Sequence, residues 1–560
     1  MKPEIMKKKA IYSVVGAVVI LAAAGGTAWL LKRGAEPPVR GGPPTARLIS
    51  SDQYAHAIAY VFGPDVKVPG SFPPVQRTNG LVALGTAQAV VTSSAAELYV
   101  DSARRIAAQA TDPARRDFLM NCAPAKPPED TCARNVLARY GRLLFRRPLT
   151  DAELAETLER ARETTRVTGD FYQGLASGLT SLLISPEFLF FIERTEPDPD
   201  SPTHLRLDAS SMATRLSLLL WDAPPDEELL EASEKGDLYT KRGLARQVDR
   251  MLASSKLEQG VRSFLVDMLV FEKFDSMTKD PVIYPAFTDK VSADSREQTL
   301  RTLVDHLVVR DLDYRDIFTT RRTFVTGDLG MVYRIPVERP DAWTPYEFPA
   351  DSGRAGVLTQ PSFLALYSHP GRSSPTVRGR AMREVFLCQV VPTPPPDVDF
   401  SKFEAAATTA TTARERLTAH RKNPACAGCH KIMDPIGLAL EKFDGSGTAR
   451  EMENGLPIDA SGELDNASFT DAVGLGKAMH DDPAATKCLV SRVFDYARGY
   501  KATSADNAWL NRLNEKFAES GYRLPALLRE IATSKAFYAV SAPAAEAAPG
   551  TPTIRTASAR

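Results

Sequence analysis

The chain has 560 residues, and its 69 Lys and Arg are balanced by 69 Asp and Glu. Zero formal net charge gives no global pull toward nucleic acid, and no Lys/Arg run with interleaved aromatics supplies a local one. At roughly 100–200 residues per domain the length implies about three to five compact units.

The amino terminus reads as a membrane signal. Lys2, Lys7, Lys8 and Lys9 precede an uncharged stretch at 10–31, which Lys32 and Arg33 close. That stretch is long enough to cross a bilayer core as a helix. The charge placement favours a cytoplasmic tail at 1–9 and a periplasmic remainder. The expectation is a single-pass protein of the cell inner membrane; a cleaved signal peptide ending near Ala22-Ala23-Ala24 is the alternative. Residues 32–46 form a Pro/Gly linker.

Beyond it the pattern is helical. Residues 47–112 look helical at both ends around a Pro-rich middle. Residues 113–197 open on a loop flanked by Cys122 and Cys132, which a short disulfide can close in an oxidising compartment. Thr150-Asp-Ala-Glu153 is a capping box ahead of Leu154, Leu158 and Ala161. Asp170 can cap a second helix, and Ser185-Pro186 starts a third. A central helical domain spans 204–338, with helix-spaced Met212, Leu216, Leu219 and Leu220, then Leu244 and Val248, then a helix at 291–310. Residues 318–349 read as loops. A penultimate module, 352–450, carries a helix ending near Cys388, a stiff Pro-rich connector at 392–396 and a helix from 409 to His420. A C-terminal helical domain at 455–540 and a disordered tail at 541–560 follow.

Six cysteines are present. Cys426-Ala-Gly-Cys429-His430 is the C-x-x-C-H attachment signature of haem c. Two thiols add to the vinyl groups on one haem edge, and the following His lies under the iron as proximal ligand. Competing readings are a zinc site from His420, Cys426, Cys429 and His430, and a redox C-x-x-C. Cys122 pairs with Cys132, and Cys388 with Cys488 by elimination; buried free thiols are the alternative.

Several stretches resemble a large bacterial family of exported proteins with five successive domains of unknown function and a cytochrome-c-like ending. They are Leu144-Phe-Arg-Arg-Pro-Leu-Thr150, Ile184-Ser-Pro-Glu-Phe-Leu189, Arg206-Leu-Asp208 through Leu220-Trp221, Gly356-Val-Leu-Thr359, and Ser374-Pro-Thr-Val-Arg-Gly-Arg380. His420 through Gly437, with Glu441-Lys-Phe-Asp444, is the most specific. Tyr496-Ala-Arg-Gly-Tyr500 departs from the family, which usually ends that stretch in Gly-Arg. The resemblance implies a haem and an envelope location and supplies no reaction.

The fold expected is mainly α, a multi-domain helical body with a C-terminal cytochrome-c-like haem module. One covalent haem c is expected on Cys426, Cys429 and His430, with His430 as the metal ligand. Met433 is a poor sixth ligand, because i+3 on a helix lies on the same side as His430; His420, Met452, Met479 and His480 remain. Arg378, Arg380 and Arg450 are candidate propionate donors, and Phe443 and Leu438 candidate ring contacts. Asp434 before Pro435 reads as a turn or cap. Electron transfer with a periplasmic redox partner or membrane electron-transfer protein leads. A peroxidase- or oxidase-type haem enzyme with His369 or His480 as a distal group, and a non-catalytic scaffold with a structural haem, are the alternatives. No Ser/His/Asp motif, P-loop, dinucleotide fingerprint or His-Glu-x-x-His site favours other chemistry.

Overall fold

The structure, a computed structural model, describes residues 36–37, 41–70, 72–122, 131–199, 201–392, 412–422 and 424–541. It is mainly helical, with five two-stranded antiparallel ladders among the described residues. The inner-membrane location is corrected. Among the described residues no helix is long and apolar enough to cross a membrane, and the stretch 10–31 lies outside them. Of the disordered tail expected at 541–560, residues 542–560 also lie outside.

Local signals set the helix ends. Thr150 accepts from the Glu153 amide at 3.3 Å while Glu153 Oε2 accepts from the Thr150 amide at 2.8 Å, closing the capping box of the helix Asp151–Thr168. Gly169, at φ +69°, ends that helix in the left-handed region that glycine adopts without a Cβ penalty. Asp170 then accepts from the Tyr172 amide at 2.8 Å and starts Phe171–Leu183. The resulting helical hairpin buries Leu158, Ala161, Leu175 and Leu179 in an amino-terminal core with Tyr54, Phe62 and Tyr140.

The Leu144–Thr150 and Ile184–Leu189 stretches are joined by a buried arginine. Arg146 sits at φ +59°. Its guanidinium donates to the carbonyls of Leu144 at 2.9 Å and Phe190 at 2.8 Å, and also to those of Phe188 and Glu187. Burial pulls its pKa down to about 9. Arg147 beside it binds Glu153 at 2.6 Å and Glu187 at 3.0 Å. One arginine therefore braces the chain reversal and the other ties the cap to the short helix Pro186–Leu189.

The larger core runs from Leu81 to Val540 and is shared by the central and carboxyl-terminal segments. The stretch read as a linker is packed at Gly42, whose amide donates to the Tyr500 hydroxyl at 3.1 Å. The stretch read as loops holds more structure. Strands Arg322–Val325 and Thr344–Glu347 pair around the helix Gly327–Tyr333, burying Val325, Leu329 and Val332 in a small core of their own. Proline and glycine at the segment joints hid these short elements.

Replacing Arg146 by Met should destabilise the chain by at least about 2 kcal/mol, because several buried carbonyls lose a donor together. Urea unfolding of wild type and variant measures it; a change within error of zero would show that water replaces the guanidinium.

Candidate cofactor-attachment site

On a helix, offsets of three and four residues share one face. Cys426, Cys429 and His430 all lie on the helix Pro424–Leu438, hereafter the motif helix, and are brought together there. Cys426 is buried and Cys429 half-buried, and both are free thiols. The other four cysteines form Cys122–Cys132 and Cys388–Cys488, as expected from the sequence.

His430 is oriented by Asp434, one turn further on. Its Nδ1 lies 3.0 and 3.1 Å from the two carboxylate oxygens. Asp434 is fully buried, and its Oδ1 accepts from the Thr376 hydroxyl at 2.8 Å. A nitrogen facing a carboxylate carries the proton, so Nδ1–H donates and Nε2 keeps its lone pair for a ligand. Sequence reasoning gave Asp434 a turn or capping role. The i, i+4 spacing of His430 and Asp434 on one helix was the signal for this contact.

Close backbone approach seats the motif helix. A Cβ on Gly379 would meet the Met433 carbonyl oxygen at 2.0 Å, and one on Gly437 would meet the Pro375 carbonyl oxygen at 1.8 Å. The motif helix thus lies directly against the helix Pro375–Ala381, which carries Thr376. Arg383 donates from Nε to the Ile432 carbonyl at 3.1 Å and from Nη1 to Asp465 at 2.7 Å. This ties the motif helix to the loop between strands Gly462–Leu464 and Ala467–Phe469.

The remaining candidates divide. His420 ends the helix Ala413–His420, and its ring centroid is 4.5 Å from that of His430, edge to face. Burial and the neighbouring His430 hold it below the ordinary imidazole value. Met433 is buried within the intact motif helix, on the side argued from helical spacing. Met479 is fully buried in the large core. Met452 is half exposed on a short strand. His480 lies against Asp481 at 2.7 Å and Asp316 at 3.4 Å.

The candidate propionate donors are engaged elsewhere. Arg378 is fully buried and donates to the carbonyls of Leu440, Phe443 and Leu364 at 2.9, 2.9 and 3.1 Å. Arg450 binds the Glu441 carboxylate and the Ser373 hydroxyl, both at 2.9 Å. Arg380 pairs with Glu384, four residues further on, at 2.8 Å. Phe443 belongs to the large core and Leu438 packs with Ala413 and Leu417.

The donor set fits haem c chemically. Two free thiols sit one helical turn apart, and the adjacent imidazole presents Nε2 while a buried carboxylate holds Nδ1. The four-ligand zinc reading fits less well, since adjacent Cys429 and His430 would strain a tetrahedral shell. Among the described residues no group of three or more His, Cys, Asp and Glu is arranged to hold a metal ion.

These features define a mainly helical protein of several successive segments, one of which carries a Cys/Cys/His helix. Four segments match, in chain order, four family models. Each is described as a protein of unknown function: DUF1595 over residues 132–193, DUF1592 over 207–335, DUF1588 over 354–453 and DUF1585 over 465–537. The chain is therefore similar to a multi-domain group of unknown function, and the motif helix falls inside the DUF1588 match. The expected fifth domain and cytochrome-c-like ending go beyond these four matches. No curated protein and no solved structure matches the chain.

Gly437→Ala should cost about 1–3 kcal/mol, because the new methyl meets backbone that cannot rotate away. Thermal unfolding checks this. An unchanged midpoint would mean that the two helices separate freely.

Proposed function

We propose that the chain is a c-type cytochrome-like protein that transfers electrons through one covalent haem, held by Cys426 and Cys429 with His430 as proximal ligand. One observation carries the reading: four of six cysteines are paired, while the two of the C-x-x-C-H motif remain free on the same face as an imidazole whose Nδ1 is already held. The short name of the family matched at 354–453, PSCyt3, hints at a cytochrome-like relationship. The two disulfides fit an oxidising compartment.

A bound haem would supply a one-electron iron couple. The chain's own residues do the rest. The motif helix sets the spacing of the two thiols. Asp434 holds the Nδ1 proton of His430, which fixes the tautomer and makes Nε2 a stronger donor. Thr376 holds Asp434, and the glycine-mediated contact holds Thr376 in reach. The partner is another redox protein.

A second reading, a haem enzyme with an open sixth position, draws support from the engaged states of Met479 and His480. Among the sixth-ligand candidates His420 stands beside His430, with 4.5 Å between ring centroids.

Protein produced with the c-type maturation machinery should give a pyridine haemochrome spectrum of thioether-linked haem, and Cys426→Ala/Cys429→Ala should abolish it. A wild-type protein without covalent haem overturns the proposal. A carbon monoxide difference spectrum then separates the readings: a small change supports electron transfer and a large one supports the open site.

Asp434→Asn should raise the reduction potential by about 60 mV, since a less basic imidazole favours the reduced iron and a tenfold change corresponds to 59 mV for one electron. Spectroelectrochemical titration reads this directly. An unchanged potential in a folded, haem-loaded variant would remove Asp434 from the site.

A further inference from the structure

A buried guanidinium keeps its charge and needs acceptors. Among the described residues Arg47 falls short of them. It lies on the strand Ala46–Leu48, opposite Phe191, and is 7 % exposed. Its Nε is without a hydrogen-bond partner, and its guanidinium makes no ion pair among the described residues. Glu193 supplies the largest counter-charge, and Asp222 a smaller one. That carboxylate is already used, accepting from Arg215 at 2.8 Å and from the Thr45 amide at 2.9 Å.

Arg47 lines a cavity of about 160 Å³. Tyr496 shares the lining, and its hydroxyl makes no hydrogen bond among the described residues. Three of the four acidic residues of the lining are already engaged, Glu272 by Arg77 at 2.6 Å. Asp222 accepts from Gln53 at 2.8 Å and faces His56 at 3.3 Å. Asp267 accepts from the Val82 and Ala83 amides at 2.7 and 2.9 Å and from Arg77 at 3.0 Å. Arg47 can only donate and the Tyr496 hydroxyl can donate beside it, so this pair suits an acceptor.

The planar fork of arginine matches a carboxylate, to which it can donate two parallel hydrogen bonds. Size limits the rest of the ligand: a cavity of about 150 Å³ holds a molecule the size of benzene. At the mouth, exposed Asp52 lines both this cavity and an adjoining groove of about 940 Å³. A carboxylate there repels a second anion and accepts from a hydroxyl.

We propose that this cavity binds a small hydroxycarboxylate, its carboxylate on Arg47 and Tyr496 and its hydroxyl toward Asp52. The site is separate from the motif helix and does not depend on haem attachment.

Calorimetric titration of the full chain with lactate, and with lactamide as the neutral isostere, tests this. Lactate should bind and lactamide should not. Arg47→Gln should weaken lactate binding by at least about tenfold, the loss of a charge-assisted pair, and Tyr496→Phe by severalfold. Near-UV circular dichroism establishes that each variant is folded. If wild type treats lactate and lactamide alike up to about 10 mM, or if folded Arg47→Gln retains full lactate affinity, the proposal is overturned. Should Arg47→Gln fail to fold, Tyr496→Phe decides, and an unchanged lactate affinity overturns it.

Discussion

A single buried guanidinium fixes the chain that follows the motif helix. Arg378 has no exposed surface, yet it carries a charge. Its only way to stay buried is to gather acceptors. It takes the carbonyls of Leu440 and Phe443 from the turn after the motif helix and that of Leu364 from a separate element. Glu441, equally buried, lies 3.4 Å away and is shared with Arg450. Burial raises the Glu441 carboxyl above its usual range despite both arginines, and the same burial pulls Arg378 down to about 10. Such a group is a poor source of net stability against an apolar replacement, but it is intolerant of losing one member.

This constraint explains the geometry of the Cys/Cys/His face. Arg378 and Gly379 are adjacent on the helix that meets the motif helix. The arginine fixes where the chain goes after Leu438, and the glycine fixes how closely the two backbones approach. Thr376, on the same short helix, then falls within 2.8 Å of Asp434. The imidazole is thus oriented through a chain of contacts, from Thr376 to Asp434 to His430. Each link rests on helix packing rather than on a flexible loop, which keeps the position of Nε2 reproducible.

Much of this was legible in the sequence, and the rest failed for identifiable reasons. Capping boxes, prolines at first helical turns and helix-spaced leucines act within a few residues, so Thr150, Asp170 and Ser185 could be placed as helix starts. The disulfides followed from setting aside the two cysteines of the C-x-x-C-H motif. The arginines misled because arginine chemistry suits both a propionate and a set of carbonyls, and only tertiary packing tells which is present. Arg378 was read as reaching for a ligand when it braces its own backbone. Arg47 was not singled out at all, because an arginine at the edge of a Pro/Gly stretch looks solvent-exposed. Its burial depends on a strand partner 144 residues away, at Phe191. The strands at 322–325 and 344–347 were missed for the same reason: their pairing is nonlocal and their prolines read as loop.

The pairing of His430 with a fully buried carboxylate bears on the proposed function beyond simple positioning. A neutral backbone carbonyl would orient an imidazole equally well. A buried carboxylate adds charge in a region where water screens it weakly. It makes the imidazole more electron-rich, and a more basic axial nitrogen stabilises the oxidised iron. Under the proposed reading, then, this pair shifts the couple toward a lower potential than the same motif would have with a carbonyl partner. It opposes the effect of a Met sixth ligand, which raises the potential.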